Sequence, residues 1–61
     1  MDRLLTLPEA AKLTRLSENT LRFMRHEGRG PKSGKLGRRI FYRENDLITW
    51  VDAQFEPDSR K

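Results

Sequence analysis

Three glycines and a proline fall within the seven residues 28–34, "GRGPKSG", and neither a helix nor a strand runs comfortably through such a stretch. The break divides a chain of 61 residues into a first half with helical spacing and a second half that opens on alternation. A chain this short makes one domain at most, with a small core. It has no cysteine to staple that core, and the single histidine excludes an all-protein Cys/His zinc site. Stability must therefore come from a compact cluster of aliphatic and aromatic side chains.

Before the break, "LLTLPEAAKL" carries Thr6 and Glu9 in capping-box spacing, with Pro8 in the first turn, where a missing N–H costs nothing. Leu5 can staple onto Ala10 one turn in, so a first helix is expected over Leu7 to Leu13. Ser17 caps a second helix, from Glu18 to about Glu27, and Gly28 supplies its stop. Two short helices joined by about four residues have helix-turn-helix geometry.

After the break, Ile40 and Tyr42 share one face of a strand, and Arg39, Phe41 and Arg43 the other. Gly37-Arg38 suits a two-residue hairpin turn that pairs Lys35-Leu36 with Arg39-Ile40. "RENDLITWVDAQF" is expected to be a third helix, buried through Leu47, Ile48, Trp50, Val51 and Phe55 and stopped by Pro57. The fold class is thus mainly α with a small β-hairpin, a winged helix-turn-helix over residues 1–56, followed by a flexible tail at 57–61.

The charge is unevenly spread. Ten basic residues between Lys12 and Arg43 face only Glu18 and Glu27, whereas the segment from residue 44 onward is net acidic. A basic centre steers polyanions, of which nucleic acid is the commonest. No apolar run approaches a membrane span, and Asp2 is unlike the basic start of a signal peptide. The expectation is a cytoplasmic protein with no membrane partner. Nothing resembles a nucleophile–base pair, and "GRGPKSG" lacks the order of a phosphate-cradling loop. An enzyme, a cofactor, a metal and a small-molecule substrate are all unexpected.

Helical spacing places Leu21 and Met24 of the second helix on one side, together with Ser17 and Thr20. Asn19, Arg22, Phe23 and His26 fall on the other, flanked by Glu18 and Arg25. Arginine forks onto guanine, asparagine onto adenine, and an apolar side chain meets the thymine methyl, so this face is a candidate for reading the major groove. Ser17 and Thr20 are candidate phosphate donors. Arg22 can equally pair with Glu18 one turn away. Phe23 has three open roles: packing on the hairpin, meeting a base methyl, or touching another protein. His26 is read as a surface histidine facing phosphate.

The ordered set "LT-x-x-EAA", "S-x-x-T-L-R", "G-x-GP", "GRR-x-x-Y" and "DL-x-x-W", spread over residues 4–51, resembles the small winged-helix DNA-binding proteins of the excisionase and AlpA type, related in fold to the MerR-like regulators. Phage excisionases, also called recombination directionality factors, match in size and layout, those of mycobacteriophages among them. The resemblance puts the recognition helix on Glu18, Asn19, Arg22, Phe23, Arg25 and His26, and the wing on Lys35, Gly37, Arg38 and Arg39. Three departures from the family pattern involve four residues. Arg15 stands where many relatives have glycine, which implies a reshaped or mildly strained turn. Met24 replaces a usual tryptophan, and Phe23 and Phe41 occupy commonly polar positions.

What the resemblance implies is a non-enzymatic protein in the nucleoid of a host bacterial cell. Neighbouring copies of it bind double-stranded DNA in a phage attachment region and bend it, helping the phage integrase towards excision. The same fold also serves small AlpA- or MerR-like regulators at promoters. A third reading is a protein-interaction adaptor whose contact is formed by exposed Phe23 and Phe41.

Overall fold

The computed structural model describes residues 2–55. The order is β1 (Leu4–Thr6), α1 (Leu7–Thr14), α2 (Glu18–His26), β2 (Gly34–Leu36), β3 (Arg39–Arg43) and α3 (Glu44–Phe55). The strands form one antiparallel sheet in the order β1-β3-β2. Three helices around such a sheet make a winged helix-turn-helix fold. The proposed tail at 57–61, with the Pro57 stop, lies outside the described residues.

The first helix begins as its sequence dictates. The Thr6 N–H donates to Glu9 Oε1 at 2.8 Å, and the Glu9 N–H donates back to Thr6 Oγ1 at 3.4 Å. Those two bonds satisfy donors that the first turn of a helix leaves free. The backbone hydrogen bond from Thr6 holds the Glu9 carboxyl below its ordinary pKa, with the Thr6 hydroxyl and the Arg3 charge acting the same way. On either side of that cap, Leu5 and Ala10 are both buried in the core.

α1 ends on Arg15, a left-handed residue at φ 66°, ψ 21°, whose N–H donates to Ala11 O at 2.8 Å. The turn therefore keeps the conformation that glycine adopts freely, and Arg15 bears the steric cost of its Cβ. Ser17 caps α2, its Oγ accepting from the Thr20 N–H at 3.0 Å. Gly28 follows the other end of α2 in a positive-φ conformation. The Gly28 N–H donates to Arg25 O at 3.1 Å and the Arg29 N–H to Met24 O at 2.9 Å, the two bonds of a Schellman motif.

The hairpin register is the expected one, with Lys35 opposite Ile40 and Leu36 opposite Arg39, so that Gly37 and Arg38 make the turn. The third strand, β1, was not expected. Leu5 pairs with Tyr42 across 37 positions of sequence, and three residues are too few to show strand alternation.

Leu5, Ala10, Leu21, Tyr42 and Leu47 form the buried core, one side chain each from β1, α1, α2, β3 and α3. Truncating a buried leucine costs about 2–5 kcal/mol. That is comparable with the roughly 3–5 kcal/mol a core of this size supplies altogether. β2 contributes nothing to the core and is exposed along its whole length.

Several burial expectations are corrected. Ile48 is 44% and Phe55 72% exposed, because α3 touches α1 and β3 along one side only. Trp50, Val51 and Met24 are half-buried. Phe41, expected to face solvent, is half-buried on the outer face of the sheet, where the Arg39 guanidinium lies over its ring at 5.8 Å.

Candidate nucleic-acid interface

α2 carries a single fully buried side chain, Leu21, and everything opposite to it is free. Glu18, Asn19, Arg22, Phe23, Arg25 and His26 are all exposed. At about 100° per residue, Asn19 and Phe23 lie nearest the line diametrically opposite Leu21, with Arg22 and His26 beside them. The helix is thus anchored on Leu21, with Thr20 and Met24 half-buried to one side, and presents the opposite face outward.

That outward face is internally organised. Arg22 Nη1 donates to Asn19 Oδ1 at 2.6 Å, and Nη2 stands 3.7 Å from Glu18 Oε1. The i, i+4 pair expected between Arg22 and Glu18 is present, and it leaves both residues exposed. Being solvent-screened, it contributes little to stability, about 0.3–0.5 kcal/mol. What the two contacts do is hold the guanidinium back over the N-terminal turn of α2, with donors still to spare for a guanine edge.

Ser17 and Thr20 have another use for their hydroxyls. Ser17 Oγ donates to Thr20 Oγ1 at 2.8 Å while capping α2. The one Ser17 proton is therefore engaged within the protein, and Thr20 is half-buried beside it.

Burial raises the Tyr42 pKa above its ordinary value, and the nearby Arg25 charge pulls it partly down again.

The hairpin divides the four expected wing residues. Gly37 and Arg38 occupy the turn, and Arg39 shares the outer face of the sheet with Phe41. Lys35, opposite half-buried Ile40, belongs to the inner face, the one that packs on the helices. All four are exposed, and so is the rest of β2.

Arg29 escaped the sequence reading. It follows Gly28 in the Schellman motif, and its guanidinium carbon lies 5.6 Å from the centre of the Phe23 ring. Its Nε also donates to Glu27 Oε1 at 3.2 Å. The signal was present in sequence: the second residue past a helix cap regularly packs on the last turn.

Phe23 and Phe41 lie on separate surfaces, one opposite the core on α2 and the other on the outer face of the sheet. Among the described residues there is no group of acidic, histidine or cysteine side chains placed to hold a metal ion. No helix among them is long and apolar enough to cross a membrane.

A family model described as a helix-turn-helix domain matches residues 4–54. The chain belongs to this helix-turn-helix family. The family includes excisionase-like and AlpA-type DNA-binding proteins and is typically non-enzymatic. Membership supports binding to double-stranded DNA. The matched span runs from β1 to within α3, so the sheet and α3 belong to the helix-turn-helix unit. No curated protein and no solved structure gives a significant match.

Proposed function

We propose that this helix-turn-helix protein is a sequence-specific architectural DNA binder of the excisionase kind. Neighbouring copies bind a phage attachment region, bend it, and direct the phage integrase towards excision. The observation that carries the DNA-reading part is the division of labour in α2. Leu21 alone is fully buried, while Asn19, Arg22, Phe23 and His26 stand outward with no structural duty in the core. In helix-turn-helix proteins the second helix enters the major groove, and these side chains can discriminate base pairs there.

The wing supplies the second contact. A strand that gives no side chain to the core is free to serve another surface, and Lys35 on β2, Arg38 in the turn and Arg39 on β3 make the hairpin cationic. Cations at a hairpin tip suit phosphates or a narrow minor groove. Small size supports the architectural part of the reading. One module of this kind buries roughly 600–1,000 Å² on DNA, so selectivity calls for repeated sites or a partner. The motif set over residues 4–51 supports the excisionase assignment.

The test has two arms. On attachment-region DNA, Arg39→Ala is expected to weaken binding to all sequences alike and to flatten the salt dependence by roughly 1 in slope. Arg22→Ala is expected to cost ~1–3 kcal/mol at one base pair and to spare non-specific binding. An unchanged affinity and salt slope in Arg39→Ala removes the wing from the interface. In a recombination reaction with integrase and attachment-site DNA, adding the protein is expected to raise excision and lower integration. No effect on either direction rejects the excisionase role and leaves DNA binding standing.

A further inference from the structure

Phe23 is an aromatic ring that the core does not use, 54% exposed and opposite buried Leu21. Its surroundings are cationic. Arg22 flanks it on α2, and Arg29 lies over the ring at 5.6 Å. The backbone of Arg29 is set by its N–H bond to Met24 O, and its side chain by Glu27. A cation on well-defined backbone thus lies over the ring, and the residue still keeps 54% of its surface exposed. Phenylalanine beside arginine also suits a protein interface, but Phe23 stands on the helix that the proposed function lays in the major groove. DNA is a good match, because the cations find phosphates while the ring needs an apolar group on a base.

Among the groups that bases show in the major groove, only the 5-methyl of thymine is apolar. We propose that Phe23 is a specificity-determining residue that reads thymine methyl groups, with Arg29 as the positioning residue that holds its ring. The inference rests on the proposed DNA-reading role of α2 and names what that helix reads. Asn19, four residues earlier on the same line, has the chemistry to pair with adenine. Four residues of helix rise about 6 Å, close to two base-pair steps of about 3.4 Å. A bound site is therefore expected to carry an adenine and a thymine methyl about two base pairs apart.

The experiment selects bound sequences from a randomised duplex pool. It then resynthesises the preferred duplex with deoxyuridine in place of each thymine in turn, which removes the methyl and keeps every hydrogen-bonding group. The wild-type protein is expected to lose about fourfold in affinity at one or two adjacent thymines, the worth of one buried methyl each. Phe23→Ala is expected to bind the thymine duplex that much more weakly and to treat thymine and uracil alike. Its thermal unfolding should match wild type, because the ring lies outside the core. Phe23→Leu keeps part of the discrimination. Arg29→Ala narrows the thymine-to-uracil ratio, a readout that a purely structural role in the helix end would not move. A preferred sequence bound equally well with thymine and uracil overturns the inference alone, as does a Phe23→Ala protein that still discriminates. A selection that yields no preferred sequence overturns the sequence-reading function and this inference with it.

Discussion

The Asp2 carboxylate accepts a hydrogen bond from the Asn45 backbone N–H at 3.0 Å, joining the start of the chain to the start of its last helix. Next to it, the Glu44 N–H donates to Arg3 O at 2.8 Å. α3 follows β3 without a loop, so no residue of a preceding turn is available to cap it. The N-terminal segment, carried alongside by the pairing of β1 with β3, provides acceptors from outside. A carboxylate there also complements the positive end of the helix dipole.

Removing that acceptor should loosen α3 from the sheet. Asp2→Ala is expected to lower stability by about 1 kcal/mol, the usual worth of a helix cap. Asp2→Asn, which keeps an oxygen acceptor, should recover much of it. Urea unfolding of the three proteins decides the matter, and equal midpoints would exclude the cap.

Gly30 and Gly28 offer a controlled comparison. Both have positive φ, but a Cβ on Gly30 would lie 2.8 Å from Met24 Cβ, whereas one on Gly28 meets nothing within 4 Å. A Cβ is fixed by its backbone and cannot swing away, so the collision moves either α2 or the loop. Gly28→Ala is expected to cost about 1–2 kcal/mol for the left-handed backbone alone. Gly30→Ala adds overpacking of about 1–3 kcal/mol to that. Circular dichroism melts should rank them in that order; equal losses would mean that the loop approaches α2 less closely.

The turn between α1 and α2 carries a cost that the sequence could have avoided. Arg15→Gly is expected to stabilise the protein, by about 0.5–1 kcal/mol once the extra freedom of glycine in the unfolded chain is subtracted. A lower unfolding midpoint in Arg15→Gly would show that the arginine side chain makes stabilising contacts that outweigh its strain.

Glu9 makes one helix start pH-sensitive. Its folded-state pKa is depressed by the Thr6 bonds, so its contribution is full above the ordinary carboxylate pKa and is lost as pH falls through the folded value. Glu9→Gln keeps the capping-box geometry and removes the charge. Wild type should therefore be the more stable of the two near neutrality, and the difference should vanish in acid. A difference that stays constant from neutral to acid pH would dissociate the effect from Glu9 ionisation.

The helical half of the fold was legible because its signals are local. Thr6, Glu9 and Ser17 act within three residues of themselves, and Gly28 acts on the turn just before it, so composition and spacing suffice. The hairpin register was legible for the same reason, since a two-residue turn at Gly37-Arg38 pairs whatever flanks it. The outward face of α2 followed from helix periodicity and the single leucine that must be buried.

The rest depends on residues distant in sequence. β1 exists because Leu5 meets Tyr42, and three residues carry no pattern that announces it. The exposure of Ile48 and Phe55 follows from which side of α3 finds a partner, while hydrophobicity alone favoured burying both. The opening run "GRGPKSG" shows both kinds of information at once. That the chain must turn there was set by its glycines and proline, whose backbone preferences need no context. Only the packed structure decides that the turn brings Gly30 against Met24 and lays Arg29 over Phe23, because those approaches depend on where two separately formed elements come to rest.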